Sequence, residues 1–264
     1  MRKYYLIFTN SLSEYFAYRL NFILWRVRIV ISILITYFLW DSVFAGKSEV
    51  FGYSQARMLT YVILITFLTG VVLSTQTHRV ASEINLGELS KFLLKPVNYF
   101  AFNLSRDLSD KFLNTTFSIV EIILLVLILR PPLVVQTNPY WLSLFAVAII
   151  LATILFFEIS LILSFIGFWS KETWAPRFIF FILITFLAGT YFPLDIFPKP
   201  IYTLLQLLPF TYIVFFPLKI YLGELNSPTL FMGLIVVFSW IIIFLFTINY
   251  LWRAGLKIYT AEGS

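Results

Sequence analysis

The chain contains no cysteine, so it has no disulfide framework and no thiolate metal site. Its single histidine, His78, excludes a two-histidine zinc site and a Ser-His-Asp triad. Charge is scarce too: Asp, Glu, Lys and Arg together make up 12% of the residues, too few for a separate soluble domain. One domain over residues 1–264 is expected. A phosphate-binding loop is also missing. The nearest approach to G-x-x-x-x-G-K-[ST] is Gly46-Lys47-Ser48, and Asp41 stands where the first glycine belongs. Residues 1–20 carry Glu14 and Arg19 and lack a small-residue cleavage site, so no removable signal peptide is expected.

Apolar residues are what the chain has in abundance. They make up 60% of it, and they gather into six long runs, 20–44, 58–75, 112–129, 140–168, 174–192 and 230–252. A bilayer core about 30 Å thick needs about 20 mainly apolar residues in helix to cross it. Lipid offers no partner to free backbone groups, so spans of this length are helices. The expected fold class is an all-α membrane protein with six transmembrane helices.

Basic residues set the orientation. With the N-terminus in the cytoplasm, that side receives Arg2, Lys3, Arg19, Arg26, Arg28, Arg79, Lys91, Lys95, Arg106, Lys111, Lys171, Arg177, Arg253 and Lys257. The outer side receives Lys47, Arg57, Arg130, Lys199 and Lys219. Fourteen against five of the 19 basic residues favours cytoplasmic termini. This asymmetry accounts for the net charge of +6 without nucleic acid as a partner. Trp25, Trp40, Trp141, Trp169, Trp174 and Trp252 lie near the expected span ends, at headgroup level.

Three segments are expected outside the spans. Residues 1–19 interleave Tyr4, Tyr5, Ile7, Phe8, Leu12, Tyr15 and Phe16 with polar side chains, as an interfacial helix does. Residues 193–224 are apolar but divided by Pro193, Pro198, Pro200, Pro209 and Pro217, five of the 11 prolines. Proline interrupts a straight span. The runs 201–208 and 210–217 are too short to cross, so a re-entrant pair dipping in from outside is expected, with a seventh crossing as the alternative. The gap 76–111 is the longest on the cytoplasmic side. Within it, 83–97 places Leu86, Leu89 and Leu93 at helical spacing before Pro96 ends the helix. Such a helix either lies on the membrane or docks on a partner.

The string ExNxGELxxFLLKPV, followed by RDLSDK, resembles the loop between spans two and three in permeases of type-2 ATP-binding-cassette exporters. The later string LAGTYFPLDIFPKPIYTLLQLLPFTYIVFFPLKIYLGE resembles that family's connection before its last span. The resemblance implies that 83–97 is a coupling helix seated on a separate ATPase subunit. It carries that role onto Glu83, Gly87, Glu88, Leu89, Leu93, Leu94, Lys95 and Pro96. It further implies a prokaryotic cytoplasmic membrane and a second permease chain, identical or related. ATP and magnesium would be bound by the ATPase subunits and no cofactor by this chain.

Charges within the spans form the remaining candidate site. Glu121, Glu158 and Arg28 fall at similar depth in spans three, four and one, with Arg26 shallower. Charges in lipid pair or line a wet cavity. Arg28 is expected to pair with Glu121 or Glu158 and to fix how those spans pack. Two other functions stay open: a membrane scaffold or assembly factor whose 83–97 helix recruits something other than an ATPase, and a transporter driven by protons through Glu121 or Glu158.

Overall fold

A computed structural model describes residues 2–17 and 19–260. Met1 and Tyr18 of the expected interfacial segment lie outside the described residues. The chain is built almost entirely of helices. An amphipathic helix α1 (Arg2–Ala17) precedes α2 (Arg19–Val43). A two-residue hairpin, β1 (Glu49–Val50) with β2 (Tyr53–Ser54), then leads into α3 (Gln55–Leu68), which ends in a π-helical turn, Thr69–Leu73. Two short helices follow, α4 (His78–Asn85) and α5 (Leu89–Leu93). The long helices α6 (Tyr99–Leu129) and α7 (Pro139–Ser164) come next, then α8 (Trp174–Leu187). Two more short helices, α9 (Lys199–Leu207) and α10 (Phe215–Tyr221), precede the last helix, α11 (Ser227–Ile258).

Local chemistry sets several helix boundaries. Asn98, Asn138 and Asn226 each cap a helix, their side-chain oxygens accepting from Ala101, Tyr140 and Thr229 at 3.0, 3.0 and 2.9 Å. Pro139 and Pro228 occupy the first turns of α7 and α11, where the missing N–H costs nothing. Helix α6 stops where Arg130 turns left-handed (φ 47°), just before Pro131 and Pro132.

Among the described residues, five helices are long and apolar enough to cross a membrane, and the chain is a multi-pass membrane protein. The fifth expected run behaves differently. Its helix, α8, has 14 residues and reaches roughly 21 Å at 1.5 Å per residue. The chain then turns at Ala188–Gly189 instead of continuing to 192. Helices α3 and α7 are enclosed, with Met58, Leu59, Tyr61, Leu68, Leu155 and Phe156 packed in one core with Ile213 and Leu218. Helices α2, α8 and α11 keep broad apolar faces turned outward, including Ile31, Ile35, Phe178, Phe181, Ile242 and Phe246. A hydrophobic exterior is what a lipid solvent requires.

The proline-divided segment forms two short helices, as its prolines require. The second does not fill 210–217: Pro209–Tyr212 is a 3₁₀ turn, and α10 begins at Phe215 with Pro217 in its first turn. Residues 211–220 are buried throughout.

Candidate functional site

Two features stand out: a bent corner between α4 and α6, and a buried polar stripe that runs from it along α6. The corner replaces the single helix expected over 83–97. Helix α4 ends at Asn85, the chain turns through Leu86–Glu88, and α5 resumes at Leu89. Gly87 makes the bend, because its φ of +71° is one that a side chain resists.

The bend breaks the leucine stripe. Leu89 is fully buried against Val80, Ile84, Tyr99 and Phe165, whereas Leu86, Leu93 and Leu94 are 70%, 47% and 88% exposed. Lys95 and Pro96 are exposed beside them, and Glu88 pairs with Lys91 at 2.8 Å. Glu83 points inward. Its carboxylate takes the Arg106 guanidinium at 2.6 Å and the Tyr99 hydroxyl. Of the residues assigned to coupling, Glu83 and Leu89 therefore hold the corner in place, and the exposed apolar surface belongs to Leu86, Leu93 and Leu94.

Struts tie this corner to the rest of the chain. The Ser90 N–H donates to the Tyr259 hydroxyl just beyond α11 at 3.0 Å, and Lys3 of α1 donates to the Pro96 carbonyl at 2.7 Å. Arg79 pairs with Glu14 at 2.6 Å. Arg177 at the start of α8 donates to the Ser160 carbonyl at 3.0 Å and the Thr77 hydroxyl at 3.3 Å, so it joins α7, α8 and the start of α4. His78 beside it is exposed.

Helix α6 is polar inside and apolar outside. Asn103, Arg106, Asp107, Asp110, Lys111, Asn114 and Ser118 are buried at three- and four-residue spacing, while Leu104, Leu108, Phe112 and Ile119 face outward. Each turn finds a partner on another element. Asp107 accepts from the Thr75 hydroxyl at 2.6 Å and the Gln76 N–H at 2.9 Å. Lys111 lies 3.4 Å from Asp107 and donates to the carbonyls of Val72, at 2.8 Å, and Ser74 in and after the π turn. Asp110 meets the Tyr15 hydroxyl of α1. Gly70 lets α3 approach: a Cβ there would lie 2.5 Å from Ser118 Oγ and 2.9 Å from the Asn114 carbonyl oxygen.

At the far end of the stripe lie the charged residues expected within the spans. Arg26 takes both oxygens of Glu121, Nε at 2.7 Å, and also reaches Asn114 at 3.2 Å and Ser118 at 3.3 Å. This corrects the expected partner: Arg26, and not Arg28, makes the pair. Arg28 is exposed and stacks its guanidinium on Trp25, 4.4 Å from the ring centroid. Glu158 is buried in α7, and neither of its carboxylate oxygens has a hydrogen-bond partner among the described residues. The structure does not bring it to either arginine. The polar stripe does not show in average hydropathy, because apolar residues share every turn with it. Read by helical phase, the recurrence of polar residues at 103, 106, 107, 110, 111, 114, 118 and 121 identifies one inward face.

No curated protein matches the chain. One family model, described as ABC-2 family transporter protein, matches residues 30–263, which takes in the corner, the stripe of α6 and the proline-divided segment. The chain belongs to the ABC-2 transporter family and is a permease of that type.

Proposed function

We propose that the chain is the permease subunit of an ATP-driven exporter. The family is a membrane component without an ATPase site of its own and generally pairs with ABC ATPase subunits. In this reading the ATPase docks at the corner, against Leu86, Leu93 and Leu94, on the cytoplasmic side together with both termini. A second permease chain completes the pathway, and α8 with the turn after it makes a sixth crossing. The re-entrant pair α9 and α10 enters from outside.

The observation that carries this reading is the exposed leucine tip on a corner tied to five helices in a chain of this family. Exposed apolar side chains beside a polar rim mark a docking surface. Closure of the ATPase dimer would push the tip. Glu83–Arg106 and Leu89 would pass the push to α6, Tyr259 to α11, Arg177 to α7 and α8, and Lys3 to α1. A permease moves as packed units when such contacts are rigid.

The test is co-purification from cells that express the full chain with each ABC ATPase subunit of its own genome. Wild type should retain one ATPase. Leu86→Asp/Leu93→Asp/Leu94→Asp should lose it while membrane yield stays unchanged, because all three side chains are exposed. Retention of the ATPase by the triple variant would refute docking at this corner.

A further inference from the structure

At the opposite end from the corner, a buried lysine joins four pieces of chain. Lys219 of α10 donates to Asp195 at 2.7 Å, to the Tyr53 hydroxyl oxygen at 3.0 Å and to the Glu224 carboxylate. An ammonium has three N–H donors, and here each has an acceptor. Tyr53 belongs to β2, Asp195 to the 3₁₀ turn Leu194–Ile196 after α8, and Glu224 to the link before α11. The Tyr53 hydroxyl in turn donates to Asp195 at 2.9 Å, and Arg57 at the start of α3 lies 3.7 Å from Glu224. Beside this cluster the Tyr61 hydroxyl donates to the Gly189 carbonyl at 2.6 Å, and the Trp40 indole to the Tyr191 carbonyl at 3.4 Å.

We propose that Lys219 is the keystone of a clasp that holds the hairpin Glu49–Ser54 to the re-entrant segment, and that this clasp must part for the outer end of the pathway to open. The orientation rests on the reading of the corner as cytoplasmic; the clasp itself rests on the contacts above. Two physical features make the cluster a clasp and not ordinary packing. The lysine side chain is only 9% exposed, so it needs all of its partners while the segments touch. Asp195 is 25% exposed and Glu224 15%, so water stands ready to replace the ammonium as soon as they separate. Such a junction has two well-solvated arrangements and a poor one between them, which is the property of a two-state switch. The apolar core beneath it, with Ile213, Val214 and Phe215, has no such alternative partner in water.

The absence of native cysteine gives a direct test. Ala188 is fully buried behind the clasp, its carbonyl accepting from Phe215 N–H at 3.0 Å. The full chain carrying Ala188→Cys is exposed in intact cells to a membrane-impermeant maleimide, and labelling is read only on protein that later elutes monodisperse. Adding Lys219→Met should speed labelling by about tenfold or more, equivalent to about 1.4 kcal/mol on the opening equilibrium. Tyr53→Phe removes one hydroxyl from a residue whose ring stays packed, and should speed it to a lesser degree. In the Lys219→Met background, Tyr53→Phe should add less than it does alone, because the ammonium and the hydroxyl touch each other and share Asp195. Unchanged labelling in Lys219→Met, or independent and additive effects of the two substitutions, overturns the clasp. Reactivity of Lys199→Cys in the same cells reports separately whether this end faces outward.

Discussion

Arg26 and Arg28 lie two residues apart on one helix and live in different solvents. Two residues rotate an α-helix by about 200°. Arg26 therefore faces α6 and meets Glu121, while Arg28 turns outward and lies over Trp25. The pair is 7% and 13% exposed, so removing one partner strands a charge. Arg26→Met should destabilise the chain by about 3–5 kcal/mol, and Arg26→Met/Glu121→Met should recover most of that loss. Arg28→Met should stay within about 0.5 kcal/mol of wild type. Thermal unfolding of the purified protein in one detergent ranks the three variants. If Arg28→Met proves the more damaging single change, the assignment of partners fails.

Lys219 acts at the next scale, where elements join. Burial by itself disfavours the ammonium, but Asp195 and Glu224 outweigh it and raise the Lys219 pKa above the ordinary lysine value. Tyr53 is pushed upward too, first by burial and then by Asp195, so its hydroxyl remains a donor over the same range. A base whose pKa is raised by folding stabilises fully below its unfolded value, 10.5 for lysine here, and loses that contribution as pH climbs through the folded one. The gap in unfolding temperature between wild type and Lys219→Met should therefore hold constant from neutral pH to about 10 and shrink above it. A gap that already closes between pH 7 and 9 would contradict the arrangement. The corner carries a parallel lesson for elements. The leucine periodicity over 83–97 breaks at the Gly87 bend, which turns Leu89 into the core and leaves Leu86 and Leu93 exposed.

At the scale of the whole molecule, the property that governs transport is orientation. Single cysteines on the natively cysteine-free chain decide it. Glu49→Cys, Lys199→Cys and Asn226→Cys are all at exposed positions around the hairpin and the proline-divided segment. All three should react with an impermeant thiol reagent in intact cells, whereas Leu94→Cys at the corner should react only after lysis. Protection of Asn226→Cys alongside labelling of Lys199→Cys would mean that 193–224 crosses the membrane.

The sequence by itself determined the solvent and the class of structure. Apolar runs long enough to cross a bilayer leave a chain few options but helices, and proline at five places in 193–224 forbids another straight one. It also set how far along their helices the charged residues lie, because that follows from distance along the chain. Azimuth was decided only by tertiary structure. Which side of a helix faces a neighbour depends on packing, so depth alone could not choose Arg26 over Arg28, nor tell that Glu158 meets neither of them. The contacts of Lys219 lay further out of reach still. Its partners Tyr53 and Asp195 are 166 and 24 residues away, and only the folding of the hairpin onto the proline-divided segment brings them to one ammonium.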